Sequence, residues 1–347
     1  MTFAVNIAQG GSNNTTMRNR IINGAMVIDQ RNAGAEVNPA VSGSYYLDRW
    51  QVASTAASKF KIGRNAGSVT PPAGFSNYLG CTSLSAYSVG ASEVFHVRQT
   101  VEANNVADLA WGTANAAGVT LSFWVYSSLT GTFGGAIRNA STYNYSYPFT
   151  YSVSAANTWE YKTVSIPGPT AGTWGTGTSA GLELGFSLGS GSTLSGTAGA
   201  WAAVNYTSAT GAVSVVGTSG ATFYITGVQL EAGTTASPFE YRLYGTELAL
   251  CQRYYEKLGF GDSNSRYPTV WGYAAGASAA VYMSVSFVVA KRVIPTLVKG
   301  TEAVLSNGTT TTDGPTYQGF RYFVSATALG QAGASFSTDG VTASAEL

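Results

Sequence analysis

Alternation constrains this chain more than any other feature. In VTLSFWVYSS, Val119, Leu121, Phe123 and Val125 alternate with Thr120, Ser122, Trp124 and Tyr126, so an extended segment carries one apolar face and one face of hydroxyls and rings. The same habit recurs from Tyr45 to Glu231, in YYLDRWQVA, EVFHVRQTV, YNYSYPFTYSV, TWEYKTVSIPG, AGLELGFSLG and TFYITGVQLE. Clusters of Gly, Ser, Asn and Thr separate these runs, and no helical pattern lies between them. Such spacing predicts a mainly β fold, a jelly-roll β-sandwich over residues 41–240. At its end Phe223, Ile225, Val228 and Leu230 are expected to be buried, and Gly233 and Pro238 to stop the strand.

The period changes once. From Tyr244, the residues Leu248, Cys251, Tyr255 and Leu258 recur at spacings of four, three, four and three, with Glu247, Gln252, Arg253, Glu256 and Lys257 filling the other side. This predicts a linking helix over 241–258. A helix of that length is marginal alone and needs a packing partner, either its own β-domain or further copies of the chain. In the second case Leu248, Cys251, Tyr255 and Leu258 are the candidate oligomer surface. Residues 259–347 return to strand signals and are expected to form a smaller C-terminal β-domain: Val281, Met283, Val285, Phe287 and Val289 alternate with Tyr282, Ser284, Ser286 and Val288, and YQGFRYFVSATA gives another strand. NGTTTTDGPT between them is expected to be an exposed loop.

Residues 1–40 read as an attachment segment with little core of its own. QGGSNNTT at 9–16 is a polar linker, and NRIINGAMVIDQRNAGAEVNP breaks a short apolar run with Asn-Gly and Asn-Ala-Gly turns. Contact with the next domain or with a neighbouring protein must order it.

Charge is not the working principle of this protein. Asp, Glu, Lys and Arg make up 10% of the 347 residues and the formal net charge is +1, against about 25% charged residues in an average globular protein. With no Lys/Arg cluster, nucleic acid and anionic membrane are excluded as partners. No apolar run approaches the ~18 residues of a membrane span, and the N-terminus lacks the order of a signal peptide, so cytoplasmic synthesis without membrane insertion is expected. Cys81 and Cys251 read as buried small apolar residues.

Catalytic signatures are missing as well. The single histidine, His96, sits in EVFHVRQ on the face of Val94 and Arg98, opposite Phe95 and Val97, and reads as a half-exposed strand residue. Gly-x-Ser-x-Gly, His-Glu-x-x-His and Walker-type loops are absent, and the 17 acids are scattered. No enzymatic role, cofactor or metal ligand is expected. Asp48-Arg49 and Asp29-Gln30-Arg31 read as structural ties between loop and strand.

Aromatic residues are the better candidates for function. Tyr143, Tyr145, Tyr147, Phe149 and Tyr151 alternate with Asn144, Ser146, Pro148 and Thr150, placing five rings on one strand face. Such a stripe either fills the sandwich core or stacks on the apolar faces of sugars, with tyrosine hydroxyls bonding theirs. Tyr143, Tyr145 and Tyr147, with Trp201 and Tyr206, are the candidate glycan platform, and Trp124 and Tyr126 are secondary candidates. Trp50 and Trp159 read as core anchors, the latter with Tyr161 on its face.

The ordered set RIINGAMVIDQRNAG, YYLDRW, LSFWVYSS, NTWEYKTVSIPG with GTWGTG, GTAGAWAAVNYTSATG and FYITGVQLEAGTTASPFEYRLYGTELALCQRYYEKL, over residues 19–258, resembles a family of bacteriophage and prophage virion proteins. These are tail-fibre and related appendage proteins carrying a carbohydrate-binding-module-like jelly roll. The resemblance implies a virion component, a tail or head fibre, often homotrimeric. It would be anchored to other virion proteins through residues 1–40 and project to bind a host-surface glycan or protein receptor. A purely structural decoration or adaptor without a receptor is the alternative. VVAKRVIPTLVKG and the ending TASAEL resemble the variable tip of such proteins more weakly.

Overall fold

The alternating segments form two antiparallel sheets packed face to face, a jelly-roll β-sandwich followed by one short helix and a smaller C-terminal β region. The computed structural model describes residues 17–40, 43–259, 269–336 and 340–347; the 9–16 linker lies outside them. The chain divides into two compact units, one running to Leu243 and the other covering Tyr244–Glu346.

In the first unit the strands are β1 (Tyr45–Leu47), β2 (Trp50–Ser54), β3 (Phe60–Arg64), β4 (Leu79–Ser83), β5 (Val94–Glu102), β6 (Val119–Ser127) and β7 (Gly131–Asn139). They continue as β8 (Ser146–Val153), β9 (Glu160–Ile166), β10 (Ala180–Ser190), the two-residue β11 (Ser195–Gly196) and β12 (Ser208–Ala209), and β13 (Thr222–Ala232). One sheet has the order β1-β2-β5-β10-β7-β8, and the facing sheet β3-β4-β13-β6-β9. Their inner faces meet in one apolar core, where Phe123 packs edge-on against Tyr151 and Phe186, both at 4.9 Å between centroids.

β13 carries the spacing that the sequence displayed. Phe223, Ile225, Val228 and Leu230 are all buried, although the step from 225 to 228 breaks strict alternation. A bulge between Thr226 and Gln229 takes up the extra residue, with Gly227 at φ +59°. The bulge restores the inward parity of Val228 and Leu230, which an unbroken strand would have turned to the outer face.

Residues 17–40 belong to this sandwich. β4 pairs with β13 only as far as Ile225, and beyond that point the segment around Asn19–Gly24 takes its place. Arg20 N donates to Leu230 O at 2.8 Å, and Val228 N to Gly24 O at 2.9 Å. Asn19 accepts from Leu230 N and donates to Val228 O, while Gln99, pointing inward from β5, exchanges two 2.8 Å bonds with the backbone of Ile22. Ile21 and Met26 join the core. For the described part of the segment, the ordering contact is with the chain's own sandwich, where buried amides replace a missing strand partner and let the apolar residues turn inward. Asp48 accepts from Gln30 N at 2.7 Å and Arg49 donates to Thr100 O at 2.5 Å, both acting as structural ties.

The second unit opens with α1 (Tyr244–Gln252), shorter than the periodicity predicted. Tyr255 and Leu258, expected on its seam, lie instead on β14 (Tyr255–Leu258). The other strands are β15 (Thr269–Ala274), β16 (Ala280–Ser286), β17 (Thr296–Lys299), β18 (Glu302–Ser306), β19 (Gly308–Asp313), β20 (Gly319–Ala326), β21 (Gly330–Phe336) and β22 (Val341–Ser344). They form three three-stranded sheets, β14-β22-β17, β15-β21-β18 and β16-β20-β19. The Thr-rich segment expected to be a loop is β19, paired with β20 along its whole length, where β-branched threonines suit an extended backbone.

A buried ion pair explains why the helix stops. Glu256, assigned by the helical period to a solvent side, is fully buried and paired with Lys291, itself 2% exposed. Lys291 Nζ also donates to Gln252 O at 2.6 Å, covering an open carbonyl at the C-terminus of α1. Ala345 N donates to Tyr254 O at 2.7 Å, so the chain leaves the helix directly into the β14–β22 ladder. Cys251, Tyr255 and Leu258 are buried and Leu248 is half-buried. Glu256→Gln should cost the C-terminal unit about 3–5 kcal/mol by stranding a buried ammonium, whereas Glu256→Leu with Lys291→Met should cost much less. Denaturant unfolding followed by hydrogen exchange in β14–β22 decides, and equal losses in the two variants would contradict the pairing.

Candidate functional site

The outer face of the five-stranded sheet supplies the residues of a broad groove. On β6 the outward set is Thr120, Ser122, Trp124 and Tyr126, and on its neighbour β9 it is Tyr161, Thr163 and Ser165, paired in register as Thr120 with Ser165, Ser122 with Thr163 and Trp124 with Tyr161. These make a floor of hydroxyls leading to two rings 5.5 Å apart. Phe75, Phe239 and Tyr241, in mutual contact at 5.0–5.6 Å, form the wall, and Thr234–Pro238 complete it. The space enclosed is about 920 Å³, and no described lining residue is charged.

Each wall is fixed by buried polar contacts. Glu231, at the end of β13, accepts from Ser237 N at 2.9 Å and Ser237 Oγ at 2.5 Å, folding the 233–241 loop back over the sheet. Gln229 accepts from Glu240 N at 2.8 Å, and Glu240 in turn accepts from Asn19 N at 2.7 Å. Phe75 lies over the bulge, where a Cβ on Gly227 would stand 2.6 Å from its ring, so only glycine allows both the φ of +59° and this approach.

One indole is singled out by its hydrogen bonding. Trp50, Trp111, Trp159, Trp174 and Trp201 each donate Nε1–H to a backbone carbonyl. Trp124, the remaining indole of the sandwich, has no such acceptor among the described residues and lies in the groove. It offers an apolar face and an unused donor together.

The predicted platform does not form one surface. A turn fixed by Asn139, whose Oδ1 accepts from Asn144 N and Tyr145 N, precedes β8, and Tyr143 sits in it at φ +52°. Tyr147, Phe149 and Tyr151 point into the core. Tyr145 stacks on Trp201 at 5.6 Å, and Tyr147 meets the same indole at 5.3 Å, in a cluster with Trp111 and Trp174. Tyr206 lies against Gly196. Tyr143 alone turns to the outer face of the six-stranded sheet, where its hydroxyl donates to Glu183 Oε2 at 3.1 Å.

The strand β9 also departs from expectation. Tyr161 is 45% exposed and Trp159 half-buried, both on the outer face, since Val164 and Ile166 take the inward positions of this edge strand. The alternation Tyr161-Thr163-Ser165 against Val164-Ile166 was the available signal.

His96 is buried at 1% exposure because the 190–207 segment covers its face of the sheet. There Glu183 is ion-paired with Arg138 and, at 2.9 Å, with Arg98. Burial alone would raise the Glu183 pKa, but the two guanidiniums overcome it and hold the carboxyl at about 2. Burial pushes the imidazole of His96 well below its ordinary value, helped by Arg138 and Arg98 and opposed by Glu183.

Both groups have depressed folded-state pKa values, so the unfolded chain takes up protons first and acid destabilises the sandwich. The His96 contribution is lost as pH falls below the ordinary 6.5. That of Glu183 is lost between its ordinary 4.5 and about 2, on the order of 3 kcal/mol. Urea midpoints between pH 7.5 and 5 should fall for the native chain and flatten for His96→Asn, and an unchanged slope in the variant would contradict the assignment.

No protein-family model matches this chain, and no curated protein matches it. Among solved structures it is similar to the enzymatically active domain of tailspike protein 4 of bacteriophage CBA120, at 13% identity and a TM-score of 0.34, over 63% of this chain and 22% of that one. A CBM4 structure is similar at 12% identity and TM-score 0.31, over 61% of this chain and 98% of that one. The family 11 carbohydrate-binding module of a Clostridium thermocellum cellulosomal cellulase is similar at 12% identity and TM-score 0.26, over 59% and 99%. At 12–13% identity all three are likenesses of fold alone, and the chain spans about a fifth of the tailspike domain's length.

Proposed function

We propose that this chain is a saccharide-binding appendage protein of a bacteriophage or prophage virion, taking a neutral host-surface glycan in the groove over Trp124 and Tyr161. The observation that carries the reading is the groove itself: about 920 Å³ of space bounded by five rings and a strip of Thr and Ser hydroxyls, with no charged lining side chain among those described. Rings cover the C–H faces of sugars, hydroxyls exchange bonds with theirs, and Trp124 adds a donor with no acceptor among the described residues. The protein binds without cleaving. Glycoside hydrolysis commonly needs two carboxyl groups about 5–10 Å apart across the scissile bond, and the described lining supplies neither. The virion assignment rests on the sequence resemblance over residues 19–258, with anchoring to other virion proteins assigned to residues 1–40.

Neutral oligosaccharides on a glycan array should bind the native chain. Trp124→Ala and Tyr161→Ala should each weaken that binding about tenfold or more, or ~1.4 kcal/mol, with the unfolding midpoint little changed. Native chain that binds neither the array nor host cells would leave the purely structural role standing.

The appendage is a homotrimer held through its C-terminal unit. Trp271 and Tyr273, on one face of β15, are 51% and 70% exposed, and Tyr282 on β16 is 57% exposed, apolar ring surface that contact with further copies would cover. Light scattering should give three chains for the native protein and one for Trp271→Ser/Tyr273→Ser. A native monomer would contradict this arrangement.

A further inference from the structure

We propose that the cleft over His96 and Arg98, on the outer face of the six-stranded sheet, is a second saccharide site that takes an acidic sugar through its carboxylate. The saccharide half of this rests on the reading above, and the carboxylate half stands on the cleft itself. The cleft encloses about 230 Å³, below the ~300 Å³ at which drug-sized sites begin, and so suits a single sugar unit.

Its charge is unbalanced. Arg98 and Arg138 share one carboxylate, Glu183, whose oxygens already accept from Arg98 Nη1 at 2.9 Å, Arg138 Nε at 3.1 Å and the Tyr143 hydroxyl at 3.1 Å. One positive charge is left over. Polar atoms are left over too: Arg98 Nε and both ring nitrogens of His96, one of which carries the N–H of the neutral imidazole, are buried with no hydrogen-bond partner among the described residues. His96 Nε2 stands 3.9 Å from Glu183 Oε1, beyond hydrogen-bond reach.

A buried donor without an acceptor is costly, and in a native site it points to a partner. The partner that suits this one is an anion with two acceptor oxygens, since a guanidinium edge and an adjacent imidazole N–H present donors to a planar carboxylate. Asn205, whose Oδ1 accepts from Arg138 Nη1 at 2.6 Å, also lines this space, and its amide NH2 is a donor suited to a sugar hydroxyl. Leu194, Val94 and Ala53 supply an apolar side for the ring. The groove over Trp124 has rings and no charge, whereas this cleft has charge and one half-buried ring, so the two faces select different sugars.

The test is calorimetric titration of the full chain with glucuronate, glucose and inorganic sulfate. Glucuronate should bind at least tenfold tighter than either of the others, and the preference should weaken with added salt. Arg98→Gln removes the unpaired guanidinium edge, and Asn205→Asp neutralises the excess charge at Arg138 while leaving the Glu183 pairs intact. Each should abolish the preference. Should Arg98→Gln fail to fold, as judged by its thermal transition, Asn205→Asp carries the test alone. Tyr161→Ala should retain glucuronate binding, which separates failure of this site from failure of the neutral groove. Equal affinity for glucuronate and glucose, sulfate binding as tight as glucuronate, or an undiminished preference in folded Asn205→Asp would each overturn the proposal.

Discussion

The bulge at Gly227 is the constraint on which the sandwich and its groove both depend. It turns Val228 and Leu230 into the core, where a regular strand would have placed them outside. It also ends the pairing of β13 with β4, leaving backbone groups that the Asn19–Gly24 segment satisfies. The approach there is close. A Cβ on Gly24 would stand 2.1 Å from Val228 O. Past the bulge, Glu231 and Gln229 face outward and fasten the loop that walls the groove. One extra residue in one strand thus sets the core, the docking of the N-terminal segment and the shape of the site.

The two outer faces of the sandwich follow opposite electrostatic rules. A chain with 10% charged residues gains little from surface ion pairs, and on the five-stranded side it lines its groove with hydroxyls and rings. On the six-stranded side it buries Arg138, Glu183 and His96 in one layer, with Arg98 half-buried beside them. Such a layer is a poor source of net stability, because desolvation cancels much of the Coulomb attraction. Its retention is better explained by what it can hold in place. Glu183 fixes Arg138 and Arg98 Nη1, and Arg98, which lines the cleft, keeps its Nε without a partner among the described residues.

The β character, the burial of Phe223, Ile225, Val228 and Leu230, and the inward face of β6 were legible in sequence because a strand with one buried face writes its period directly into the residue order. The end of α1 was not. Glu256 and Lys257 look like the solvent side of a helix until Lys291, 35 residues on, supplies a buried partner for Glu256. The platform failed for a similar reason. Rings at every second position assume a continuous strand, and the Asn139 side chain makes the first of them part of a turn. Tyr161 was readable in principle, since Val164 and Ile166 claim the inward face of β9, but the neighbouring Trp159 suggested burial. His96 was placed on the right face with the wrong exposure, because the segment that covers it returns from a hundred residues away.

The distribution of indole hydrogen bonds shows how site and scaffold separate in a protein built from neutral residues. Five of the sandwich's indoles are tied to backbone carbonyls at 2.7–3.3 Å. An indole tied in this way has spent its only polar group on the fold and offers a ligand nothing but surface. Trp124 stands on a strand flanked on both sides, by β9 and β13, and the ladder already satisfies the carbonyls around it. Its N–H therefore remains open on the groove side while the backbone beneath holds the ring rigidly. A rigid apolar face with one uncommitted donor is what recognition of a neutral sugar requires, and its position, unlike its identity, comes from the sheet and not from the residues next to it in sequence.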